Sequence, residues 1–214
     1  VEETEVYIYT NDGGFSAGTT EIISISGPAD KLYFHAYASF WAINPKIVVN
    51  HSSDNVTWEQ IYSDQYSTGT SAVNQDIEKN LSDKDVKFLQ FILTISTGTC
   101  TATNIKVSRK TYLNAEDLNV TEGKMIEKNE SATGTLTVDW SCANGGDLKL
   151  VCDNPKFTFS PTIIADVDNN DGTTDIAVTY TPTEVGKDEA TLIIYNDVYR
   201  KEVKLTGAAH NLLG

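Results

Sequence analysis

The sequence predicts an all-β fold made of two antiparallel β-sandwich domains, on three observations. Short runs that alternate apolar and polar residues follow one another along the chain, the period of a half-buried strand. Polar, Gly-rich breaks separate them, and no stretch sustains the period of a helix. At 214 residues the chain is long for one domain and comfortable for two of about 100 each. Hydrophobic residues at 40% are enough for packed cores, which argues against a wholly disordered chain.

The first half opens with Val6 to Tyr9, which runs into Asn11-Asp12-Gly13-Gly14, and Glu21 to Ser26, which ends at Gly27-Pro28. Leu32 to Phe40 alternates further, with Leu32, Phe34, Ala36 and Ala38 on one face and Tyr33, His35, Tyr37 and Ser39 on the other. Lys46 to Asn50 and Val56 to Tyr62 read as the arms of a hairpin around His51 to Asn55. Ser, Asp and Asn hydrogen-bond their own backbone there and tolerate turn conformations. Ser71 to Leu81 reads as a strand and loop in preference to a short helix. Val86 to Ile95 has apolar residues on both faces, as a central strand should, and Ala102 to Ser108 with Thr111 to Leu113 close the unit. About eight strands at this spacing predict a sandwich or jelly roll.

The second half repeats the style without repeating the sequence. Leu118 to Val120, Gly134 to Trp140, Leu148 to Val151, Phe157 to Phe159, Asp175 to Tyr180, Ala190 to Tyr195 and Lys201 to Thr206 are its strands, with Pro182 and Gly186 punctuating the loop before the last two. About seven strands in about 95 residues is an immunoglobulin-like count. The expected division is residues 1–113 and 114–209, with Asn114 to Asp117 as the boundary and 210–214 as a tail.

The formal charge is −14, from 30 acids and 16 bases, and both halves are acidic. A basic face is the usual footprint of nucleic-acid binding, so this balance argues against nucleic acid and against anionic membrane surfaces. No apolar run approaches the length of a membrane-spanning helix. The start at Val1, with no basic or apolar leader, suggests a trimmed product whose targeting segment is missing. The expected location is secreted or cell surface, with a lipid anchor through that missing segment as one route.

Cys142 and Cys152 flank Asn144-Gly145-Gly146, a hairpin turn signal. A tight hairpin there leaves Cys152 roughly 16 Å along the strand from the residue facing Cys142, too far for a disulfide. Each continues an apolar alternation, so both read as buried thiols acting as small hydrophobes, with Cys100 the third cysteine.

Residues 117 to 209 resemble the immunoglobulin-like repeats of secreted and surface proteins of Bacteroidetes. The matching segments are Phe157 to Pro161, Ile176 to Gly186, Ala190 to Leu192 and Val203 to Gly207. The resemblance implies a spacer or scaffold, since such repeats usually carry no catalytic residues. The first half is similar to galactose-binding-like jelly rolls. Ser53-Asp54-Asn55-Val56-Thr57-Trp58 resembles their Ser-Asp-Gly-x-x-Trp hairpin, and Asn104 to Val107 their closing strand. Asn55 stands where Gly is usual, and Asn is the next best residue at a left-handed position. These positions serve packing, so the resemblance carries over no binding residue.

Fourteen of the 20 aromatic residues precede residue 114, which puts any stacking site in the first half. The face Tyr33, His35, Tyr37, with Trp41 after the strand end, is the candidate carbohydrate platform. Rings would bind the apolar face of a sugar while polar tips hold its hydroxyls. The alternative is a partly buried sheet face or protein contact. Asp166 to Gly172 has some calcium-loop flavour, but Gly comes one place late and Ala177 stands where a bidentate acid belongs. It reads as a solvated loop, so neither metal nor cofactor is predicted. His-Glu-x-x-His, Gly-x-Ser-x-Gly and Gly-rich phosphate loops are all missing. Paired carboxylates for glycoside hydrolysis need only converge in space, which leaves a glycoside-processing enzyme as the third reading. The expectation is a non-catalytic protein binding carbohydrate or another surface ligand through its first domain. The second reading is a structural or adhesive scaffold that binds proteins.

Overall fold

The computed structural model describes residues 3–67, 69 and 71–211. They hold strands and no helix. Two compact units divide the chain, one spanning Glu5–Lys110 and one taking Thr111 onward together with Thr4. Each has its own hydrophobic core.

The first unit contains β1 (Thr4–Asn11), β2 (Phe15–Ser16), β3 (Thr20–Ser24), β4 (Lys31–Ala38), β5 (Lys46–Ser52), β6 (Glu59–Gln65), β7 (Val73–Asn80), β8 (Phe88–Thr94) and, as far as Lys110, β9 (Cys100–Ala115). One sheet runs β7-β4-β9, with β1 and β2 both on the far side of β9, and the other runs β3-β8-β5-β6. Taking β1 and β2 as one interrupted strand leaves eight strands. Their orders are then first-eighth-third-sixth and second-seventh-fourth-fifth, the two four-stranded sheets of a jelly roll.

The alternation of β4 sets this core. Leu32, Phe34, Ala36 and Ala38 are buried, while Tyr33, His35 and Tyr37 remain partly exposed on the outer face. Ile47 and Val49 of β5 and Leu89, Phe91 and Leu93 of β8 complete the core. Phe34 packs edge-on to Phe91 and Tyr62, with ring centroids 5.7 and 5.3 Å apart. Such pairs contribute about 0.5–1.5 kcal/mol each beyond the area they bury. β8 lies between β3 and β5, as apolar residues on both of its faces require.

The β5–β6 hairpin forms, but its turn comes later than the sequence suggests. β6 starts only at Glu59, so Val56 is exposed in the turn, and His51 is not a turn residue: it lies on the buried face of β5. The Asp54 carboxylate explains the shift. It accepts the backbone N–H groups of Thr57 (2.7 Å) and Val56 (2.8 Å) and the Ser52 hydroxyl (2.9 Å), and Asn55 takes φ 61°. Those donors, the Thr57 amide foremost, hold the Asp54 carboxyl well below the usual carboxylate range.

Ala102 to Ser108 and Thr111 to Leu113 are not two strands; β9 runs unbroken through both, and its one irregularity against β4 is a bulge earlier in the strand. Its register against β4 slips between Tyr33 and His35, where Asn104 adopts φ 50°. The Asn104 amide donates to the Asp12 carbonyl at 3.2 Å. Gly14 lies so close that a Cβ there would fall 1.9 Å from the Ala102 carbonyl oxygen.

The second unit contains the end of β9, then β10 (Leu118–Asn119), β11 (Ala132–Cys142), β12 (Leu148–Cys152), β13 (Phe157–Ser160), β14 (Ile163–Ile164), β15 (Asn170–Tyr180), β16 (Gly186–Tyr195) and β17 (Arg200–Ala209). One sheet is β13-β15-β11-β9 and the other β10-β17-β16-β12-β14. With β9, β11, β12, β13, β15, β16 and β17 as strands A to G, the orders are D-E-B-A and G-F-C, which is the immunoglobulin-like arrangement. β11 and β12 therefore belong to different sheets, and the expected hairpin between Cys142 and Cys152 does not form. Gly145 (φ 111°) and Gly146 (φ 75°) carry the chain across from one sheet to the other. The three cysteines are free thiols, with Cys100 and Cys142 buried and Cys152 partly so.

Tyr180 anchors this second core. Its ring is buried, stacks on Phe157 at 4.8 Å and presses on Gly207, where a Cβ would come within 2.5 Å of it. Its hydroxyl donates to Asp188 at 2.7 Å, and Lys156 donates to the other carboxylate oxygen at 2.7 Å. Of the expected tail, His210 donates its amide to the Ile126 carbonyl at 2.9 Å. Leu212 to Gly214 lie outside the described residues.

Candidate functional site

The four candidate residues do not form one site. Tyr33 and His35 line an open hollow of about 640 Å³ on the outer face of β4, with Tyr7, Asp76, Glu78 and Lys106. Trp41 lines a different hollow of about 680 Å³, made by the loop after β4, the end of β6 and the loop after β6. Tyr37 shares the outer face of β4 and lines neither.

In the first hollow the polar tips of Tyr33 and His35 are already engaged. Both ring nitrogens of His35 have partners, Nδ1 at 2.7 Å from Asp76 and Nε2 at 2.6 Å from Asn74. The hydrogen bond to Asp76 raises the imidazole pKa above its ordinary value. The Tyr33 hydroxyl donates to Glu5 at 3.0 Å, and the Ser108 hydroxyl donates to the same oxygen at 2.6 Å. These donors, Ser108 foremost, lower the pKa of Glu5. Lys31 pairs with Glu78 at 2.7 Å, and Lys106 lies 5.1 Å from the Tyr7 ring centroid. Tyr7 meets Tyr33 edge to face, centroids 6.5 Å apart. A sugar that used the Tyr33 hydroxyl or the His35 ring would have to break existing bonds to make its own.

The second hollow differs in both respects. Phe40 is 58%, Trp41 53% and Ile43 53% exposed. Beside them stand Asn44, Gln65 and Ser67. Neither the Gln65 nor the Ser67 side chain makes a hydrogen bond among the described residues, and Asn44 reaches only Ser96, at 3.4 Å.

The loop that presents the aromatics is held by two other segments, at Gly69 and at residues 96–98. Gly69 N–H donates to the Phe40 carbonyl (2.7 Å), Ile43 N–H to Thr97 (2.8 Å), and Ser96 N–H back to Ile43 (2.8 Å). Gly98 lies against Ala42 so closely that a Cβ would meet its Cα at 2.6 Å. Asn44 takes φ 53° just before Pro45, a left-handed position that Asn tolerates. Aromatic side chains on a fixed loop present a surface that needs little ordering on binding. Phe40, Asn44 and Pro45 were visible in the sequence as neighbours of Trp41. Gln65 and Ser67 were not, because no local pattern signals that the loop after β6 folds back beside them.

The acidic loop does not assemble a cation site. Asp168 accepts the Gly146 N–H at 2.9 Å and Asp147 accepts that of Asp166 at 3.1 Å, so these carboxylates brace backbone. Among the described residues no three His, Cys, Asp or Glu side chains converge as metal ligands.

No family model and no curated protein matches the chain. Among solved structures it is similar to the PapD-like domain 7 of human CEP192, at 11% identity over 47% of this chain and 85% of that one, with a TM-score of 0.35. It is also similar to WR4, an MSP family member of C. elegans, at 9% identity over 46% and 97%, TM-score 0.31. A third likeness is to the VesB protease of Vibrio cholerae, at 8% identity over 79% and 63%, TM-score 0.28. At such scores the assignment of both sandwiches rests on their own strand order.

Proposed function

We propose that the jelly-roll unit is a non-catalytic carbohydrate-binding module of a secreted or surface-displayed protein, related to the galactose-binding-like domains. The immunoglobulin-like unit, resembling the repeats of Bacteroidetes surface proteins, serves as its spacer. One observation carries the reading: Trp41 stands more than half exposed on a braced loop, next to Phe40 and beside the unengaged amide and hydroxyl of Gln65 and Ser67. A ring to stack on, with a few polar groups to fix orientation, is what a hydroxyl-rich ligand requires. On the outer face of β4 the Tyr33 hydroxyl and both His35 nitrogens are already hydrogen-bonded, so that face ranks second.

A protein-adhesive reading is favoured by Ile43, which adds exposed aliphatic surface that a sugar does not need. The two are separated by affinity electrophoresis of the full chain in gels containing a broad panel of polysaccharides. Retardation that Trp41→Ala abolishes and Tyr37→Ala leaves intact supports the carbohydrate reading. No retardation across the panel would overturn it in favour of a protein partner.

A further inference from the structure

The hollow at Trp41 has a property that sets its ligand class. None of the described residues that line it is charged, in a chain of formal charge −14. The one phenol among the described lining residues, Tyr66, is buried, with its hydroxyl 2.6 Å from that of Tyr62, and burial pushes its pKa far above the ordinary value. The polar groups present are the amides of Asn44 and Gln65 and the hydroxyl of Ser67, which offer donors and acceptors together and match neutral hydroxyls. The outer face of β4 makes the contrast: there Glu5, Lys31, His35, Asp76, Glu78 and Lys106 crowd one surface.

We propose that the Trp41 hollow selects uncharged polysaccharides and rejects uronate-bearing, sulfated or carboxymethylated ones. This rests on the carbohydrate reading above and narrows it. A carboxylate or sulfate at the hollow finds no cation among the described lining residues, so whatever water it gives up on contact is not replaced by a charged partner. The negative field of the whole chain adds repulsion during approach. An uncharged hydroxyl meets neither penalty. Recognition is then carried by stacking and neutral hydrogen bonds, and salt has little to screen.

The test uses the full chain and matched neutral and anionic polymers: hydroxyethyl-cellulose with carboxymethyl-cellulose, and methyl-esterified homogalacturonan with polygalacturonate, beside the broad neutral panel. Affinity electrophoresis ranks them, and titration calorimetry of whichever polymer retards the chain is run at about 50 and about 500 mM salt, where the Debye length differs about threefold. The expected result is retardation by a neutral polymer, at least about tenfold weaker binding of its anionic counterpart, and less than about twofold change with salt. Trp41→Ala should remove the binding. Retardation by anionic polymers as strong as by neutral ones, or a tenfold fall with salt, would overturn the selectivity while leaving carbohydrate binding in place. Retardation that survives Trp41→Ala would overturn the assignment to this hollow, and retardation by no polymer of either kind would overturn both readings.

Discussion

Replacing Gly98 by Ala is the sharpest test of how the Trp41 loop is held, because the structure supplies its own control. Gly98 has φ 106° and Gly18 has φ 97°, so an L side chain is strained to a similar degree at either site. Such backbone strain costs about 1–3 kcal/mol. The surroundings differ completely. A Cβ at Gly18 meets nothing within 4 Å, whereas at Gly98 it lands 2.6 Å from the Ala42 Cα, 2.9 Å from its Cβ and 3.0 Å from the Ser39 Oγ. Carbon atoms in contact prefer about 3.5–4.0 Å, so the loop must give way, and overpacking of this kind costs about 1–3 kcal/mol more.

Gly18→Ala therefore isolates the backbone cost, and the difference between the variants isolates the packing of Gly98 on the loop. For a unit of this size about 1 kcal/mol moves the midpoint by about 4–8 °C. Gly98→Ala should unfold roughly 5–20 °C below Gly18→Ala when both are followed by calorimetry in the full chain. Gly98→Ala should also weaken glycan binding, since the loop it displaces carries Trp41, while Gly18→Ala should not. Midpoints within about 2 °C of each other would refute the claim that Gly98 braces this loop.

Other outcomes follow from individual contacts. Tyr180→Phe removes the hydroxyl that donates to Asp188 and should cost about 1–3 kcal/mol, read as a lower midpoint for the second unit. Asp188 has a lowered pKa, Lys156 being the first cause, so its stabilisation is present above its ordinary value of 3.8 and is lost as pH falls through the lower folded value. The midpoint gap between the native chain and Asp188→Asn should accordingly be constant at neutral pH and close on acidification below that value. The raised pKa of His35 has the opposite sign: its contribution is complete below 6.5 and is lost as pH rises through the folded value. NMR titration should place His35 above 6.5, and Asp76→Asn should return it towards that value. A thiol reagent should label no more than Cys152 in the folded chain and all three cysteines in denaturant. Cys100 is buried, and burial pushes its thiol pKa up to about 11.

What the sequence disclosed and what it hid divide along one physical line. Strand periodicity is written into neighbouring residues, so the buried Leu32, Phe34, Ala36 and Ala38 of β4 and the central place of β8 could be read directly. Pairing partners are not local, and there the reading failed. Asn144-Gly145-Gly146 is chemically a hairpin turn, yet in an immunoglobulin-like sandwich the same two positive-φ glycines serve equally to send the chain from β11 into the other sheet. Residues 102 to 113 read as two strands parted at Arg109-Lys110, whereas β9 runs through both with Arg109 buried, and its bulge at Asn104 lies inside the first of them.

The candidate site shows the same division with a functional consequence. Aromatic content pointed to the first half, and alternation placed Tyr33 and His35 outside the core. Whether their polar tips remain available depends on Glu5, Asn74 and Asp76, which are distant in sequence and come together only across β1, β4, β7 and β9. At Trp41 the decisive residues are again distant: Gly98 packs against the loop, and Gln65 and Ser67 supply polar side chains that make no hydrogen bond among the described residues. A ligand competes best where polar groups are desolvated without losing existing bonds, because every bond it must break offsets one that it makes. That asymmetry is why the proposed site is the loop after β4 and not its tyrosine face, and it is a property of tertiary pairing that residue type alone does not express.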